Sequence, residues 1–286
     1  MQPKFAIVTP VKNEEGFFDK TLESVVNQTV KPTKWVVVND GSTDGTKDLI
    51  ERYAAQHDWI HPVHNPPRER RDPGGEGVIA QGIKHINVDD YDFFTRMDGD
   101  LEFEPNYFED LFKRFSENKR LGVASGVCFL RENGREVEES HQRFHTRGPN
   151  KTYRKECFKD IGGLEPGLGW DTIDEVKANM CGWQSYSFPE LRIIHLRPTQ
   201  TAKGALNGMK NFGVASYYTG YHPLYLIARA MRRMFDRPYF FGGLSMLRGY
   251  FGELMRKAPQ VNDPDLIAYV RTQQMNRLLG RESIWR

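Results

Sequence analysis

Asp98-Gly99-Asp100 carries the chain's most chemically capable residues, directly after Phe94-Thr95-Arg96-Met97. Alternate residues of an extended segment point the same way, so Asp98 and Asp100 can converge. The glycine between them lets the backbone turn and a ligand approach closely. Two convergent carboxylates are what hard divalent cations such as Mn²⁺ or Mg²⁺ take, with substrate phosphates as further ligands. A solvated acidic turn would share this spelling, but the apolar strand ahead of it favours the cation. Two more polar clusters share the placement. Val36-Val37-Val38 runs into Asn39-Asp40-Gly41-Ser42-Thr43-Asp44-Gly45-Thr46. There Asp40 can accept from a base or ribose, or the stretch is a plain turn with Ser42 or Thr43 capping the next helix. Phe5–Thr9 runs into Pro10-Val11-Lys12-Asn13-Glu14-Glu15, which reads equally as a ligand loop or as acids at a helix N-terminus.

These clusters are positioned by an alternating pattern. Strands are predicted at Phe5–Thr9, Trp35–Val38, Ile60–His64, Tyr91–Arg96 and Leu121–Leu130, with helices over 17–28, 43–56, 78–86 and 105–116. Short apolar strands between amphipathic helices imply an α/β fold with a mostly parallel, Rossmann-like sheet flanked by helices. Such sheets bind ligands at the carboxyl ends of their strands, so all three clusters are brought to one edge. Further on, a helix is predicted near Asp174–Cys181 and a strand near Arg192–Leu196. The start signal Asn262-Asp263-Pro264 precedes a last helix over 264–279.

The 286 residues are enough for one large α/β domain and an appendage. A net charge of +2 excludes nucleic-acid binding by bulk charge. Residues 1–202 are net −6 and residues 203–286 net +8, an asymmetry that gives the two parts different partners. Cys128, Cys157 and Cys181 form no C-x-x-C pair and imply no disulfide framework. The N-terminus lacks a basic segment followed by a long apolar run, so a cytoplasmic protein is expected. The longest uncharged run, Asn211–Ala228, is too polar for a spanning helix.

Taken together, TPVKNEEG at 9–16, VVNDGSTDGT at 37–46 and MDGD at 97–100 resemble family 2 glycosyltransferases of the GT-A fold, over about residues 4–200. The resemblance implies a nucleotide pocket lined by Thr9, Pro10, Glu14 or Glu15, and Asp40. It implies Asp98 on the nucleotide-sugar and Asp100 on a divalent metal, Mn²⁺ or Mg²⁺. The Gly- and Arg-rich stretch 68–77 stands where the family has a donor-contacting loop, which would put Arg70 or Arg71 on a phosphate; a solvated loop is the other reading. The family usually places an acidic pair, often Glu-Asp, at a helix start near 170. This chain reads Trp170-Asp171-Thr172-Ile173-Asp174-Glu175, a departure that leaves the catalytic base among Asp171 first, Asp174 second and Glu175 third. Trp170 would pack on the acceptor sugar or serve as a wall residue. His195 ends an apolar run, as a metal-ligating histidine of the fold would.

The implied activity is inverting transfer of a sugar from a nucleotide-diphosphate donor to a hydroxyl of a glycan, plausibly lipid-linked, in surface polysaccharide assembly. UDP is the first choice of nucleotide, with GDP or dTDP behind it. The implied division is a transferase domain over 1–202 and a basic, aromatic-rich helical extension over 203–286. Stretches such as Tyr221–Phe235 mix bulky apolar residues with arginine, which suits an anionic membrane surface at the inner face of the cell membrane or a helical lid. Two rivals are a sugar nucleotidyltransferase, whose Gly-rich basic N-terminal loop is missing here, and a non-catalytic nucleotide-sugar-binding scaffold.

Overall fold

The structure is a computed structural model describing residues 2–67, 76–132, 134–139, 143–146, 148–164, 170–197 and 204–285. Its chain forms two compact units, Met1–Pro166 with Cys181–Arg197, and Gly167–Met180 with Pro198–Arg286. The helix that carries the acidic cluster at 171–175 therefore groups with the C-terminal residues.

The first unit is an α/β layer with, among the described residues, a nine-stranded sheet. Strands β1 (Phe5–Val11), β2 (Lys34–Asn39), β3 (Ile60–His64) and β4 (Phe93–Met97) pair in parallel, in the spatial order β3-β2-β1-β4. The largely apolar spelling of β1, β2 and β4 follows from burial on both faces, by α1 (Glu15–Val26), α2 (Thr46–Ala54), α3 (Glu76–Ile83) and α4 (Tyr107–Glu117), whereas edge strand β3 buries only Ile60. Phe18, Leu22 and Val25 of α1 and Phe108, Leu111, Phe112 and Phe115 of α4 join Phe5, Ile7, Trp35 and Val37 in one core. Aromatic rings dominate it: Phe5 lies 4.8 Å from both Phe108 and Phe112, and Phe93 4.7 Å from Phe115.

Beyond β4 the sheet is mixed. The remaining strands are β5 (Leu101–Phe103), β6 (Leu121–Glu132), β7 (Arg135–Glu138), β8 (Asn150–Arg154) and β9 (Gln184–His195). β8 pairs antiparallel with β4 and β6, β5 with β9, and β7 with β6, while β6 and β9 are parallel. A short helix, α5 (Lys155–Asp160), follows β8. The helix at 43–56 starts later than its spelling suggests. Neither Ser42 nor Thr43 caps it; the Asp44 carboxylate accepts from Thr46 N at 3.1 Å instead.

In the second unit, α6 (Trp170–Met180), α7 (Ala205–Tyr218), α8 (Pro223–Arg233), α9 (Phe241–Arg256) and α10 (Pro264–Leu278) are helical. α7 and α9 pack backbone to backbone, because a side chain at Gly213 would strike Met246 O and one at Gly249 would strike Lys210 O. α10 starts where Asp263 Oδ1 accepts from Leu266 N at 2.9 Å, with proline in the first turn. Tyr221, Tyr225, Tyr250 and Trp285 form its core. No described helix is long and apolar enough to cross a membrane.

Candidate active site

The three polar clusters meet at the carboxyl ends of β1, β2 and β4. Parallel register sets the level: Val11 lies opposite Asn39, and Val8 opposite Arg96 one residue before Met97. The first two loops are cross-linked. Asn13, at φ 54°, donates its N–H to Ser42 Oγ at 3.0 Å, and its Oδ1 accepts from Thr43 N at 2.9 Å. Glu14 N donates to Thr46 Oγ1 at 2.9 Å, Glu15 N to Asp44 Oδ2 at 3.2 Å, and Gly45 N to Glu15 Oε2 at 3.0 Å. Bonds of this kind add about 0.5–1.5 kcal/mol each, and together they make the two loops one rigid rim.

The rim sorts the expected nucleotide residues. Thr9 is fully buried and its hydroxyl accepts from the Trp35 indole at 2.9 Å, so its side chain serves the core; Pro10 is half-buried. Asp40 is buried, with Asn65 Nδ2 3.4 Å from Oδ1. Glu15 holds the rim together, whereas Glu14 is buried and accepts from Arg197 Nη2 at 2.7 Å. Arg71 and the rest of 68–75 lie outside the described residues.

The acidic pair is built by close packing. Gly99 passes so near α1 that a Cβ there would lie 2.6 Å from Val11 Cγ1 and 3.2 Å from the Phe18 ring. Thr21 of α1 clamps the turn, donating to Gly99 O at 2.9 Å and accepting from Leu101 N at 3.0 Å. Asp98 and Asp100 then sit in different settings. Asp98 keeps 30% of its side chain exposed, beside Arg96 at 2.9 Å. Burial around its carboxyl pushes it up to about 6, aided by Asp100 and opposed by Arg96. Asp100 is buried, which alone would raise its carboxyl, but His195 and Arg197 outweigh that and hold it below the ordinary range.

β9 and its exit deliver the cations. His195 Nε2 is 3.6 Å from Asp100 Oδ2, and His195 Nδ1 is 3.0 Å from Glu139 Oε2. Burial works against charge on His195, yet Asp100 and Glu139 hold it up at about 9. Arg197 Nε lies 2.8 Å from the same Asp100 oxygen while its Nη2 reaches Glu14. The oxygen and nitrogen donors here are of the types a divalent cation takes when phosphate and water complete its shell, and Arg197 Nε holds the Asp100 oxygen such an ion would need. Asp100 carries an oxygen and His195 a nitrogen of the kinds such a cation takes, the nitrogen once the imidazole gives up its Nε2 proton, and Glu139 braces the far ring nitrogen as outer carboxylates do for ligating histidines. Among the described residues no three His, Cys, Asp or Glu side chains form a protein-only cage.

Glu139, Arg96 and the bridging role of Arg197 escape sequence reading. Arg197 lies two residues past His195, so alternation along the strand exit was the available signal. The expected base residues belong to the second unit. Asp174 and Glu175 are buried on α6, with Glu175 N donating to Asp174 Oδ1 at 2.7 Å. Trp170 and Asp171 begin that helix, and their side chains lie outside the described residues.

This sheet with its flanking helices and loop edge has the GT-A fold of glycosyltransferases. The family model described as glycosyl transferase family 2 matches residues 6–169, and the chain belongs to that family. Among curated relatives, EpsH of Bacillus subtilis (strain 168), named as a glycosyltransferase, is 24% identical over 187 residues, covering 65% of this chain and 51% of EpsH. The chain thus spans about half the length of that relative. TuaG of the same organism, named as a glycosyltransferase of teichuronic acid biosynthesis, is 32% identical over 63 residues, 22% of this chain and 25% of TuaG. Among solved structures, the mannosyltransferase PcManGT of Pyrobaculum calidifontis, in complex with GDP-Man and Mn²⁺, superposes with a TM-score of 0.58 at 15% identity, covering 99% of this chain and 77% of that one. Residues 1–349 of S. aureus TarS, in complex with UDP-GlcNAc, superpose with a TM-score of 0.54 at 16% identity, covering 91% and 74%. At such identities the likeness is one of fold.

Proposed function

We propose that this chain is an inverting, metal-dependent glycosyltransferase. It moves a sugar, hexosyl in class, from a nucleotide-diphosphate donor, UDP before GDP or dTDP, to a hydroxyl of a lipid-linked glycan acceptor in surface polysaccharide assembly. The observation that carries the reading is the junction of Glu14, Arg197, Asp100 and His195 at the same sheet edge as Asp40 and Asp98. In this reading Asp40, the rim and Arg71 hold the nucleotide, and Asp98 orients the sugar. Arg197, held on Glu14 and Asp100, would answer the charge that develops on a leaving diphosphate. Asp100 and His195 would hold Mn²⁺ or Mg²⁺, whose chemistry is to stabilise that same charge. The acceptor hydroxyl loses its proton to a carboxylate on α6, Asp171 first and Asp174 second, with Trp170 against the acceptor sugar. Residues 1–202 act as the transferase domain and 203–286 as an extension holding the chain at the cytoplasmic face of the membrane.

The donor class is tested by thermal unfolding with UDP, GDP or dTDP, each with and without Mn²⁺. A ligand at 100 times its dissociation constant adds about 2.7 kcal/mol, worth ~2–4 °C per kcal/mol at this size. The expected result is a shift for one nucleotide that grows with Mn²⁺ and is lost in Asp100→Ala. No shift with any of the three would reject the reading.

A further inference from the structure

The turn from α8 to α9 exposes what a folded chain normally hides. Phe235, Phe240 and Phe241 are 78%, 68% and 65% exposed, and Met231, Tyr239 and Leu244 are each more than half exposed. Met231 lies in the last turn of α8, Phe235 in the turn just after it, and Tyr239, Phe240 and Phe241 at the start of α9, so the exposed apolar residues gather in one short connection. Apolar clusters of this kind mark contact sites rather than chance exposure. Phe240 adds a second observation. It sits at φ 57°, ψ −51°, a conformation costly for a bulky side chain, and its ring gains no burial in return.

Charge decides what covers the tip. Residues 229–248 hold five arginines and one acid, Asp236. Arg233 is spent internally on Arg237 O and Asp236, and the Arg229 guanidinium lies 4.6 Å from the Phe212 ring centroid. Arg232, Arg237 and Arg248 remain exposed around the aromatic residues. Exposed aromatic side chains and exposed arginines in one short segment match the two layers of an anionic bilayer, acyl boundary and phosphate. Arginine stems can lie along the apolar layer while their heads stay with the phosphates.

We propose that the α8–α9 turn inserts into anionic lipid, with Phe235, Phe240 and Phe241 below the headgroups and Arg232, Arg237 and Arg248 upon them. This deepens the lipid-linked acceptor reading and rests on it for its biological purpose. Its test uses neither donor nor acceptor, so failure here is distinct from failure of sugar transfer. The full chain is floated with vesicles of phosphatidylcholine alone or mixed equally with phosphatidylglycerol. Binding is expected to the mixed vesicles only, falling as salt rises. Phe235→Ser with Phe240→Ser and Phe241→Ser should lower partitioning about 100-fold or more, and Arg232→Gln or Arg237→Gln roughly 5-fold each. All these positions are exposed, so circular dichroism should match the parent. Independently, Phe240→Trp should add a blue-shifted emission quenched by brominated lipid. The proposal is overturned by absence of flotation with anionic vesicles at low salt, or by a triple variant that floats like the parent. It is equally overturned if brominated lipid leaves the emission added by Phe240→Trp unquenched, or if the tip drives self-association without lipid binding.

Discussion

The sheet edge and the α8–α9 turn solve opposite problems. At the edge, charged groups are buried and matched: Asp100 meets His195 and Arg197, Glu14 meets Arg197, and His195 meets Glu139. At the turn, apolar rings are exposed among like charges. A buried charge is tolerated only with partners in place, so the edge is a preorganised polar site that chemistry can use. An exposed aromatic cluster gains nothing from the described residues around it, which is why the proposed partner is external, anionic lipid. The same residue types should therefore respond oppositely to substitution in the two regions.

The largest effect should come from Asp100→Asn. Removing that charge leaves buried His195 and partly exposed Arg197 without their shared carboxylate; breaking a fully buried pair costs about 3–5 kcal/mol, and solvent at Arg197 sets the expected loss at the lower end of that range. Urea unfolding should show a loss of that order, and sugar transfer should fall by at least about 10²-fold, the scale for losing one charge-stabilising contact. A variant as stable as the parent would mean that the edge is not a matched charge cluster.

Phenylalanine gives the cleanest contrast. Phe108 is fully buried against Phe5, Phe103 and Tyr107, so Phe108→Ala should cost about 3–5 kcal/mol. Phe240→Ala should stay within about 0.5 kcal/mol of the parent, as exposed positions do, while Phe240→Gly should match or exceed it by relieving the positive φ. If Phe240→Ala also cost several kcal/mol, the tip would be structural and the contrast would collapse. Gly99→Ala comes next. The new methyl would press on Val11 and Phe18, and overpacking of that kind costs about 1–3 kcal/mol. Combining it with Val11→Ala should recover part of the loss, which would identify the clash as its cause.

Legibility in the sequence followed physical signal. Strands β1, β2 and β4 are readable because burial on both faces demands apolar runs, and the three loop motifs because each follows such a run, whereas edge strand β3 carries two histidines and buries only Ile60. β8 is not readable, since Asn150, Lys151 and Thr152 are polar yet fully buried, with Thr95 and Thr152 sharing a hydroxyl contact at 2.9 Å. β5 is three residues long, and β9 begins well before its apolar end because polar residues and Pro189 break its alternation. Within the site, Asp100 is expected from the MDGD motif and His195 from its place at the end of an apolar run. The Glu14–Arg197 bond, spanning 183 positions, was invisible because no local pattern encodes a contact that only the sheet order creates.

The smallest effect belongs to the rim that joins the first two loops. Burial pushes the Asp44 carboxyl up, but bonds from the Thr46 hydroxyl and from the Thr46 and Glu15 amides outweigh it and hold the group below its ordinary value. A carboxylate depressed in the folded state stabilises the fold above its unfolded pKa, about 3.9, and that stability is lost as pH falls through the folded value. Asp44→Asn should therefore cost about 1 kcal/mol at neutral pH, the usual worth of a helix-capping side chain. The difference from the parent should shrink as urea unfolding is repeated toward about pH 3, below that unfolded value. Asp236, in the exposed turn, serves as the control: its replacement by Asn should change stability by less than about 0.5 kcal/mol. A penalty at Asp44 that persisted unchanged in acid would assign the rim's strength to shape, and equal effects at Asp44 and Asp236 would erase the distinction between a polar edge held by matched charge and a turn built for contact with something else.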